Sequence, residues 1–381
     1  MPARDVSSDE HYMHQALRLA RQSSMLPYPN PWVGCAIVRD GKVVGRGFHR
    51  GAGTSHAEVE ALAQAGQRAR GATLYVNLEP CCHHGRTPPC TDAILKAEIN
   101  RVVYALRDPN PEVNGCGARI LRQGGVRVSG GVCAAEAAAL NEVYLKFRAT
   151  GLPFVTAKIA ATLDGKIATR SGEAKWITDA AARRHARILR GQHQAVAVGI
   201  NTVLADDPHL GPRSSSANDP WRVVLDSTLR TPLRARVVKS GRCIVACTRA
   251  ADPRKREALL RAGAQVWSFP GARVPVRSLL RRLAAEGVLS LLVEGGGEML
   301  GSFLDQNLVD RFYWYLAPAI LGSVKSRPAI AGRGAARLSQ ARRLTNVSIQ
   351  AVGNAWLIRG NLSRWALSDL GQRKHPHDPS K

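Results

Sequence analysis

Leu78-Glu79-Pro80-Cys81-Cys82-His83-His84-Gly85-Arg86-Thr87-Pro88-Pro89-Cys90 crowds three cysteines, two histidines and three prolines into thirteen residues. An apolar run, Thr73–Leu78, leads into it, and a helix-like run, Thr91–Ala97, leads out. Prolines stiffen the loop, and Pro88 and Pro89 suit a helix entrance, where a missing N–H costs nothing. The stretch therefore reads strand, rigid loop, helix, with thiols and imidazoles held in the loop. Upstream, His56-Ala57-Glu58 adds another imidazole with a carboxylate two residues on.

A histidine beside a glutamate, followed by a Pro-Cys…Cys pair, is the pattern of a zinc site that deaminates nitrogen rings. Catalytic zinc commonly keeps three protein ligands and one open position for water. His56, Cys81 and Cys90 supply three. A carboxylate must then shuttle a proton to the leaving amine, and Glu58 stands where it can do so without binding the metal. His56 opens one helix and Cys90 the next, so two helix N-termini would favour thiolate at the metal. Other readings compete. Ser55-x-x-Glu58 is also a capping box, in which Glu58 merely closes the helix start. Cys82 rivals Cys81 as ligand, and Cys82, His83 or His84 would give a purely structural zinc its fourth ligand.

The chain has 381 residues, enough for two or three domains with separate cores. Eight cysteines in such a length are not a disulfide framework. No apolar run is long enough to cross a bilayer, and the N-terminal stretch has no apolar h-region, so a cytoplasmic protein without a membrane partner is expected. Lys and Arg number 54 against 29 Asp and Glu, a net charge of +25. Such an excess attracts phosphate, on nucleic acid or on a small molecule, or simply coats an arginine-rich surface. No RNA-binding module or compact Lys/Arg block accompanies it, so no nucleic-acid partner is expected.

Outward from the loop the rhythm is α/β. Asp9–Ser24 reads as a helix with Met13, Ala16, Leu17 and Ala20 on one face. Val33–Arg39 and Lys42–His49 are strand-like runs joined by Asp40-Gly41, a strong hairpin signal. Ser55–Ala69 is a second helix; Thr73–Leu78, Arg101–Leu106 and Val126–Ser129 are strands; a helix runs from about Cys133 to Arg148. This argues for a mixed sheet with helices on both faces. Thr150-Gly151-Leu152-Pro153 breaks the pattern and bounds a first domain, residues 1–150.

A second domain, 151–360, opens with the strand Phe154–Ala160. Thr178 caps a helix through Arg190, and Ala195–Val198, Arg222–Asp226, Cys243–Cys247, Gln265–Ser268 and Leu289–Val293 are strands. Pro253–Ala262, capped by Asp252, and Val276–Glu286 are helices between them, the rhythm of a parallel-rich sheet. Glu294-Gly295-Gly296-Gly297-Glu298 follows a strand and opens a helix, where bare N–H groups can cradle a phosphate; a tight strand–helix turn explains the same glycines. Ser214–Asp219 is a polar loop, and residues 361–381 read as a basic, frayed tail.

His56-Ala57-Glu58 with Glu79-Pro80-Cys81 resembles the cytidine and deoxycytidylate deaminase superfamily. The Cys81-to-Cys90 spacing is longer than the usual Pro-Cys-x-x-Cys. The string Cys81-x-His83-His84-Gly85-Arg86-Thr87-Pro88-Pro89-Cys90 is similar to one branch, the bifunctional riboflavin-biosynthesis deaminase–reductases. Pro29-Asn30-Pro31-x-Val33-Gly34-Cys35 and Asp108-Pro109-Asn110-Pro111 support it. Four further strings resemble the reductase domain of that family, whose fold is similar to dihydrofolate reductase and which uses NADPH. They are Lys158-Ile159-Ala160-x-x-Leu163-Asp164-Gly165-Lys166, Gly172-Glu173-x-Lys175-Trp176-Ile177-Thr178, Thr202-Val203-Leu204-Ala205-Asp206-Asp207-Pro208 and Val293-Glu294-Gly295-Gly296.

The resemblance implies an N-terminal cytidine-deaminase-like domain, a C-terminal dihydrofolate-reductase-like α/β domain, one zinc ion and NADPH. A phosphorylated diaminopyrimidinone ribosylamine would lose a ring amine as ammonia, and its ribosyl group would then be reduced to ribityl. By the same resemblance Asn30, His49, His83 and Arg86 hold the pyrimidine and ribose phosphate. Ala160, Trp176, Thr202, Asp206, Ser227 and the run Gly296, Gly297, Glu298, Met299, Leu300, Gly301, Ser302 match cofactor positions. Ala174, Arg190, Leu210, Arg213 and Glu294 match substrate positions, with Lys158 and Glu294 near the reacting sugar. Three departures stand out: Cys82 where serine is usual, Ala174 where a substrate-contacting serine is common, and Gly211-Pro212 in place of a Thr-Val type pair. The family suggests dimers or tetramers. Two rivals remain: a nucleic-acid deaminase, favoured by charge and site class but opposed by the second domain, and a structural zinc in an interaction protein.

Overall fold

The computed structural model describes residues 6–23, 26–51, 53–84, 87–212 and 218–362. The chain divides between Gly151 and Leu152 into two compact units. Arg86, Arg213, most of the Ser214–Asp219 loop and the basic tail from residue 363 lie outside the described residues.

The first unit runs α1 (Val6–Ala20), β1 (Gly34–Arg39), β2 (Lys42–Phe48), α2 (Ala57–Ala65), β3 (Thr73–Leu78), α3 (Cys90–Lys96), β4 (Arg101–Leu106), α4 (Cys116–Gln123), β5 (Arg127–Gly130), α5 (Ala134–Leu140) and α6 (Glu142–Thr150). Its sheet has the order β2-β1-β3-β4-β5. β1 is antiparallel to both neighbours, whereas β3, β4 and β5 are parallel. The expected hairpin is present: Asp40 and Gly41 both take positive φ, 49° and 71°, as a two-residue hairpin loop requires. Side chains of the central strands alternate between two cores. Leu74, Val76 and Val102 pack with Ala57, Ala61 and Ile94 on one face, while Tyr75, Val103 and Ala105 pack with Met13, Leu17 and Ala137 on the other.

Three local expectations change. The first helix spans Val6–Ala20, ending short of Ser24. The second starts at Ala57 with His56 as N-cap, makes no side-chain cap bond, and gives way to a 3-10 turn at Gly66–Ala69. The Ser55-x-x-Glu58 capping box is therefore not formed. The helix expected over Cys133–Arg148 is two helices that meet at Asn141, whose φ of −105° and ψ of 17° depart from helical values. The Asn141 Oδ1 accepts from Trp32 N at 2.7 Å and its Nδ2 donates to Trp32 O at 3.0 Å.

The second unit runs β6 (Phe154–Thr162), β7 (Lys166–Ala168), α7 (Ala180–Gly191), β8 (Ala195–Gly199), α8 (Ile200–Asp206), β9 (Trp221–Leu225), α9 (Arg236–Lys239), β10 (Cys243–Thr248), α10 (Pro253–Arg261), β11 (Gln265–Phe269), α11 (Val276–Ala285), β12 (Ser290–Val293), α12 (Gly297–Asp305), β13 (Arg311–Ala317), β14 (Arg327–Pro328), β15 (Thr345–Val352) and β16 (Ala355–Asn361). A nine-stranded sheet has the order β11-β10-β9-β8-β12-β6-β13-β16-β15. Its first seven strands are parallel, and β16 and β15 close it antiparallel. The parallel strands are buried on both faces, as helical crossovers demand. Sequence reading placed no strand beyond Val293, so β13, β14, β15 and β16 are additions, as is the short β7. The cap of α7 is Asp179, which accepts from Ala182 N at 2.8 Å, and not Thr178. Asp252 caps α10 as expected, accepting from Arg254 N at 2.8 Å.

Candidate active sites

In the first unit the chemistry collects where β3 and β4 end. Glu79 follows β3 and is buried, and its carboxylate accepts from Gly115 N at 2.9 Å, Ala118 N at 3.0 Å and Asp108 N at 3.4 Å. That ties the start of the Cys-rich loop to the Asp108–Ala118 segment. Two residues on, Cys81 meets the opening of α3: Cys90 N donates to Cys81 Sγ at 3.3 Å, and Thr91 N donates to Cys81 O at 3.2 Å. α2 brings the third group. Its approach to β2 depends on missing side chains, since a Cβ at Gly45 or Gly47 would come within 2.2 Å of the Ala61 or Ala57 carbonyl oxygen.

The result is a convergent triad. His56 Nδ1 stands 3.1 Å from Cys90 Sγ and 3.4 Å from Cys81 Sγ. The other ring nitrogen, Nε2, is 3.2 Å from Thr87 Oγ1. A partner on the far nitrogen is what fixes the tautomer of a metal-ligating histidine; sequence reading missed Thr87, whose residue type carries no signal of that role. The three ligand atoms lie within 4.8 Å of one another, and no fourth donor joins them among the described residues. Cys82 Sγ instead donates to Glu112 O at 3.3 Å, and His83 Nε2 lies 3.8 Å from the Glu112 carboxylate. A closed four-ligand site is therefore absent among those residues, and the donor set suits a zinc with an open position. Hydrogen bonding from the Cys90 thiol, foremost, and then His56 bring the Cys81 thiol down to about 4, while the same bond and burial push Cys90 up.

Glu58 is 4% exposed and hydrogen-bonds the Cys90 thiol. Burial first, and then the Cys81 charge, push its carboxyl up to about 7. His49 is also buried, and its ring lies edge-on to His56 with centroids 5.6 Å apart. Its Nδ1 pairs with Ser55 O at 3.2 Å and its Nε2 with Asn30 Nδ2 at 2.8 Å. The carbonyl can only accept and the amide nitrogen only donate, so the ring is the neutral Nδ1–H tautomer. Burial, first, lowers its pKa, in keeping with that form. Asn30, His49, His56, Glu58, Cys81 and Cys90 are thus brought together. His83 Nδ1 is buried with no hydrogen-bond partner among the described residues, and Arg86 lies outside them.

In the second unit a cleft of about 1760 Å³ opens beside the C-terminal ends of β8, β9 and β12. Lys158, Ala160, Ala174, Trp176, Arg190, Thr202, Asp206, Leu210, Ser227, Glu294, Gly296, Gly297, Glu298, Met299, Leu300 and Ser302 all line it. Gly301 does not: a Cβ there would come within 1.7 Å of Ala331 O, so its bareness serves backbone packing. Gly296 and Gly297 also differ. A Cβ on Gly297 would reach Pro328 O at 2.5 Å, whereas one on Gly296, the N-cap of α12, meets nothing within 4 Å. That leaves an open approach to bare N–H groups at a helix start, which fits a phosphate-bearing cofactor. Trp176, 66% exposed, lies under the Arg183 guanidinium at 4.3 Å, and Lys175 pairs with Asp206 at 3.3 Å.

The floor of the cleft holds buried charge. Arg190 grips Glu294 with two hydrogen bonds, Nε to Oε1 at 2.7 Å and Nη2 to Oε2 at 2.9 Å. Lys158 Nζ stands 4.0 Å from the same carboxylate. Burial opposes the Glu294 charge, but Arg190 and then Lys158 hold its carboxyl below the ordinary value. Burial lowers the Lys158 pKa, with Glu294 opposing. Arg213 lies outside the described residues.

Residues 6–106 match the cytidine and deoxycytidylate deaminase zinc-binding region, and residues 153–358 match the RibD C-terminal domain. The chain is 45% identical over 315 residues to the riboflavin biosynthesis protein RibD of Aquifex aeolicus, covering 82% of this chain and 88% of that one. Among solved structures, RibD of Acinetobacter baumannii (form 1) is similar with a TM-score of 0.86 at 38% identity, covering 94% of this chain and 100% of that one. A diaminohydroxyphosphoribosylaminopyrimidine deaminase/5-amino-6-(5-phosphoribosylamino)uracil reductase of Thermotoga maritima gives 0.80 at 33% identity, covering 94% and 99%.

Proposed function

The chain belongs to the RibD family of bifunctional riboflavin-biosynthesis enzymes, and on that premise we propose how its residues divide the work. As a member it is a zinc-dependent deaminase and an NADPH-dependent reductase. We assign the deaminase to residues 1–150 and the reductase to 151–360. The substrate is the phosphorylated diaminopyrimidinone ribosylamine, and the product the ribitylamino-uracil phosphate.

His56 Nδ1, Cys81 Sγ and Cys90 Sγ would hold the zinc. When bound, the metal supplies a Lewis acid that makes water nucleophilic near neutral pH. Glu58 takes a proton at its carboxylate and returns it to the leaving amine. The part-buried Asn30–His49 pair presents fixed polar groups to the pyrimidine, and we assign His83 and Arg86 to its phosphate. In the reductase NADPH supplies the hydride. The net change adds hydride at a sugar carbon and a proton at the oxygen that carbon releases. Lys158 binds and protonates that oxygen; Glu294 holds Lys158 in place, and Arg190 holds Glu294. The Gly296–Gly297 helix start, Thr202 and Ser227 take the cofactor's phosphates and ribose, and Trp176 and Asp206 sit at the cleft rim.

The observation that carries this reading is the convergence of His56, Cys81 and Cys90 beside a buried Glu58 that forms no capping box with Ser55. The reading includes a small phosphorylated partner rather than nucleic acid, a homo-oligomer, and a cytoplasmic setting. No helix among the described residues is long and apolar enough to cross a membrane. The test is incubation with the phosphorylated diaminopyrimidine, with and without NADPH, following ammonia and NADPH separately. Ammonia should appear without NADPH and cease when a chelator removes zinc, while reduction of the deaminated compound continues. Ammonia release that survives zinc removal would overturn the assignment.

A further inference from the structure

The first unit holds a second convergence of metal-ligating groups, outside the site described above. His14 on α1, Cys133 just before α5 and Glu136 in the first turn of α5 bring ligand atoms within 4.8 Å of one another. His14 Nε2 stands 3.8 Å from Cys133 Sγ and 3.9 Å from Glu136 Oε1. Tetrahedral zinc, with Zn–S near 2.3 Å and Zn–N near 2.0 Å, spaces neighbouring ligand atoms at about 3.5 Å. The His14–Cys133 distance is within a few tenths of an ångström of that edge, and the His14–Glu136 distance and the third pair, all within 4.8 Å, are short enough for a metal to draw in. The donor set narrows the ion further. A thiolate with an imidazole and one carboxylate suits zinc, and it excludes calcium and magnesium, which take oxygen ligands.

Two more observations fit a cation. The carboxylates of Glu136 and Glu10 both bear electrostatically on Cys133. His14 and Glu136 are half exposed, with side-chain exposures of 49% and 52%, so an ion can enter without unfolding. The three groups form a cluster separate from the His56–Cys81–Cys90 triad.

We propose that His14, Cys133 and Glu136 form a second zinc-binding site that clamps α1 to the start of α5, with water completing the coordination. Binding replaces the Cys133 thiol proton, which is released to solvent, and forms metal bonds to Sγ, Nε2 and a carboxylate oxygen. No electron transfer is involved.

The experiment uses full-length enzyme already loaded with one zinc, titrated with zinc chloride by calorimetry, with metal content read by mass spectrometry after dialysis. The expected result is a second equivalent that His14→Ala and Cys133→Ser each weaken at least tenfold, while the first equivalent and ammonia release are unchanged. Cobalt added to the zinc-loaded enzyme should give a sulfur-to-metal absorption band that Cys133→Ser abolishes and Glu136→Gln merely shifts. Glu136 is exposed, so that variant serves if Cys133→Ser fails to fold. A wild-type stoichiometry of one, or a second equivalent that both variants leave untouched, overturns the proposal.

Discussion

Replacing Arg190 by Met leaves the Glu294 carboxylate buried without its main partner. In the native cleft that carboxylate takes two hydrogen bonds at 2.7 and 2.9 Å, and its side chain is 8% exposed. Breaking one half of a buried ion pair typically costs 3–5 kcal/mol. Lys158 Nζ, 4.0 Å away, keeps part of the compensation, so the lower end, about 3 kcal/mol at neutral pH, is expected. With an m-value near 2–3 kcal/mol/M, that loss moves the urea midpoint down by roughly 1 M.

The pH dependence separates this from simple loss of packing. In the native protein the Glu294 pKa is depressed, so its stabilisation is present above the unfolded carboxylate value and lost only as pH falls through the lower folded value. Without Arg190, burial dominates and the folded pKa rises above the unfolded one. The variant then suffers at neutral pH and is relieved as acid protonates Glu294. Urea unfolding followed by tryptophan fluorescence should show a deficit that shrinks between about pH 7.5 and about pH 5. Adding Glu294→Gln to the variant should recover at least half of it. An equal deficit at both pH values with no recovery would refute the ion pair as the reason for this geometry.

Glu58→Gln should retain its zinc by mass spectrometry yet lose ammonia release by about 10²-fold or more, with NADPH-dependent reduction of the deaminated compound untouched. His193 is buried, pairing with Leu189 O at 2.7 Å and Thr156 Oγ1 at 2.9 Å, and burial lowers its pKa to about 4. The unfolded chain then binds a proton that the folded one refuses between the ordinary value and about 4. Urea stability of the second unit should fall across that acid window by on the order of 3 kcal/mol, and His193→Gln should flatten the fall. Gly296→Ala should raise the KM for NADPH with little change in urea midpoint. Gly297→Ala, whose Cβ would lie 2.5 Å from Pro328 O, should cost stability itself, by about 1–3 kcal/mol.

What could be read ahead of the structure was what short spacing decides. Asp40-Gly41 announced its hairpin because two positive-φ positions in a row accept few residue pairs. Asp252 before Pro253 announced a cap for the same local reason. The triad was legible because ligand chemistry restricts residue type as well as spacing. Where reading failed, the deciding partner was remote. Asn141, at the junction of α5 and α6, bonds Trp32, 109 residues away, and the Arg190–Glu294 grip spans 104 residues. In a chain with this much arginine, Arg190 looks like any surface charge until the fold buries it. β15 escaped because it is exposed along nearly its whole length, leaving no alternation of buried and exposed positions to read.

Glu58 shows how a fold chooses between two uses of one spacing. Ser55-x-x-Glu58 is equally a cap and a proton carrier on paper, and the choice turns on α2 starting at Ala57 with His56 as its N-cap. That start is set by how closely α2 lies on β2, and so by Gly47. A methyl at Gly47 would stand 2.2 Å from Ala57 O and 2.6 Å from Ala61 N, both backbone atoms that cannot swing aside. The helix start must then shift, carrying His56 and Glu58 with it. Gly47→Ala should therefore weaken zinc retention and ammonia release together, although position 47 carries neither ligand nor proton carrier. Reduction of the deaminated compound should proceed at its usual rate. Normal zinc content with normal deamination in that variant would mean the helix start is fixed by the ligands themselves, and that the close approach of α2 to the hairpin is a consequence of the site and not its cause.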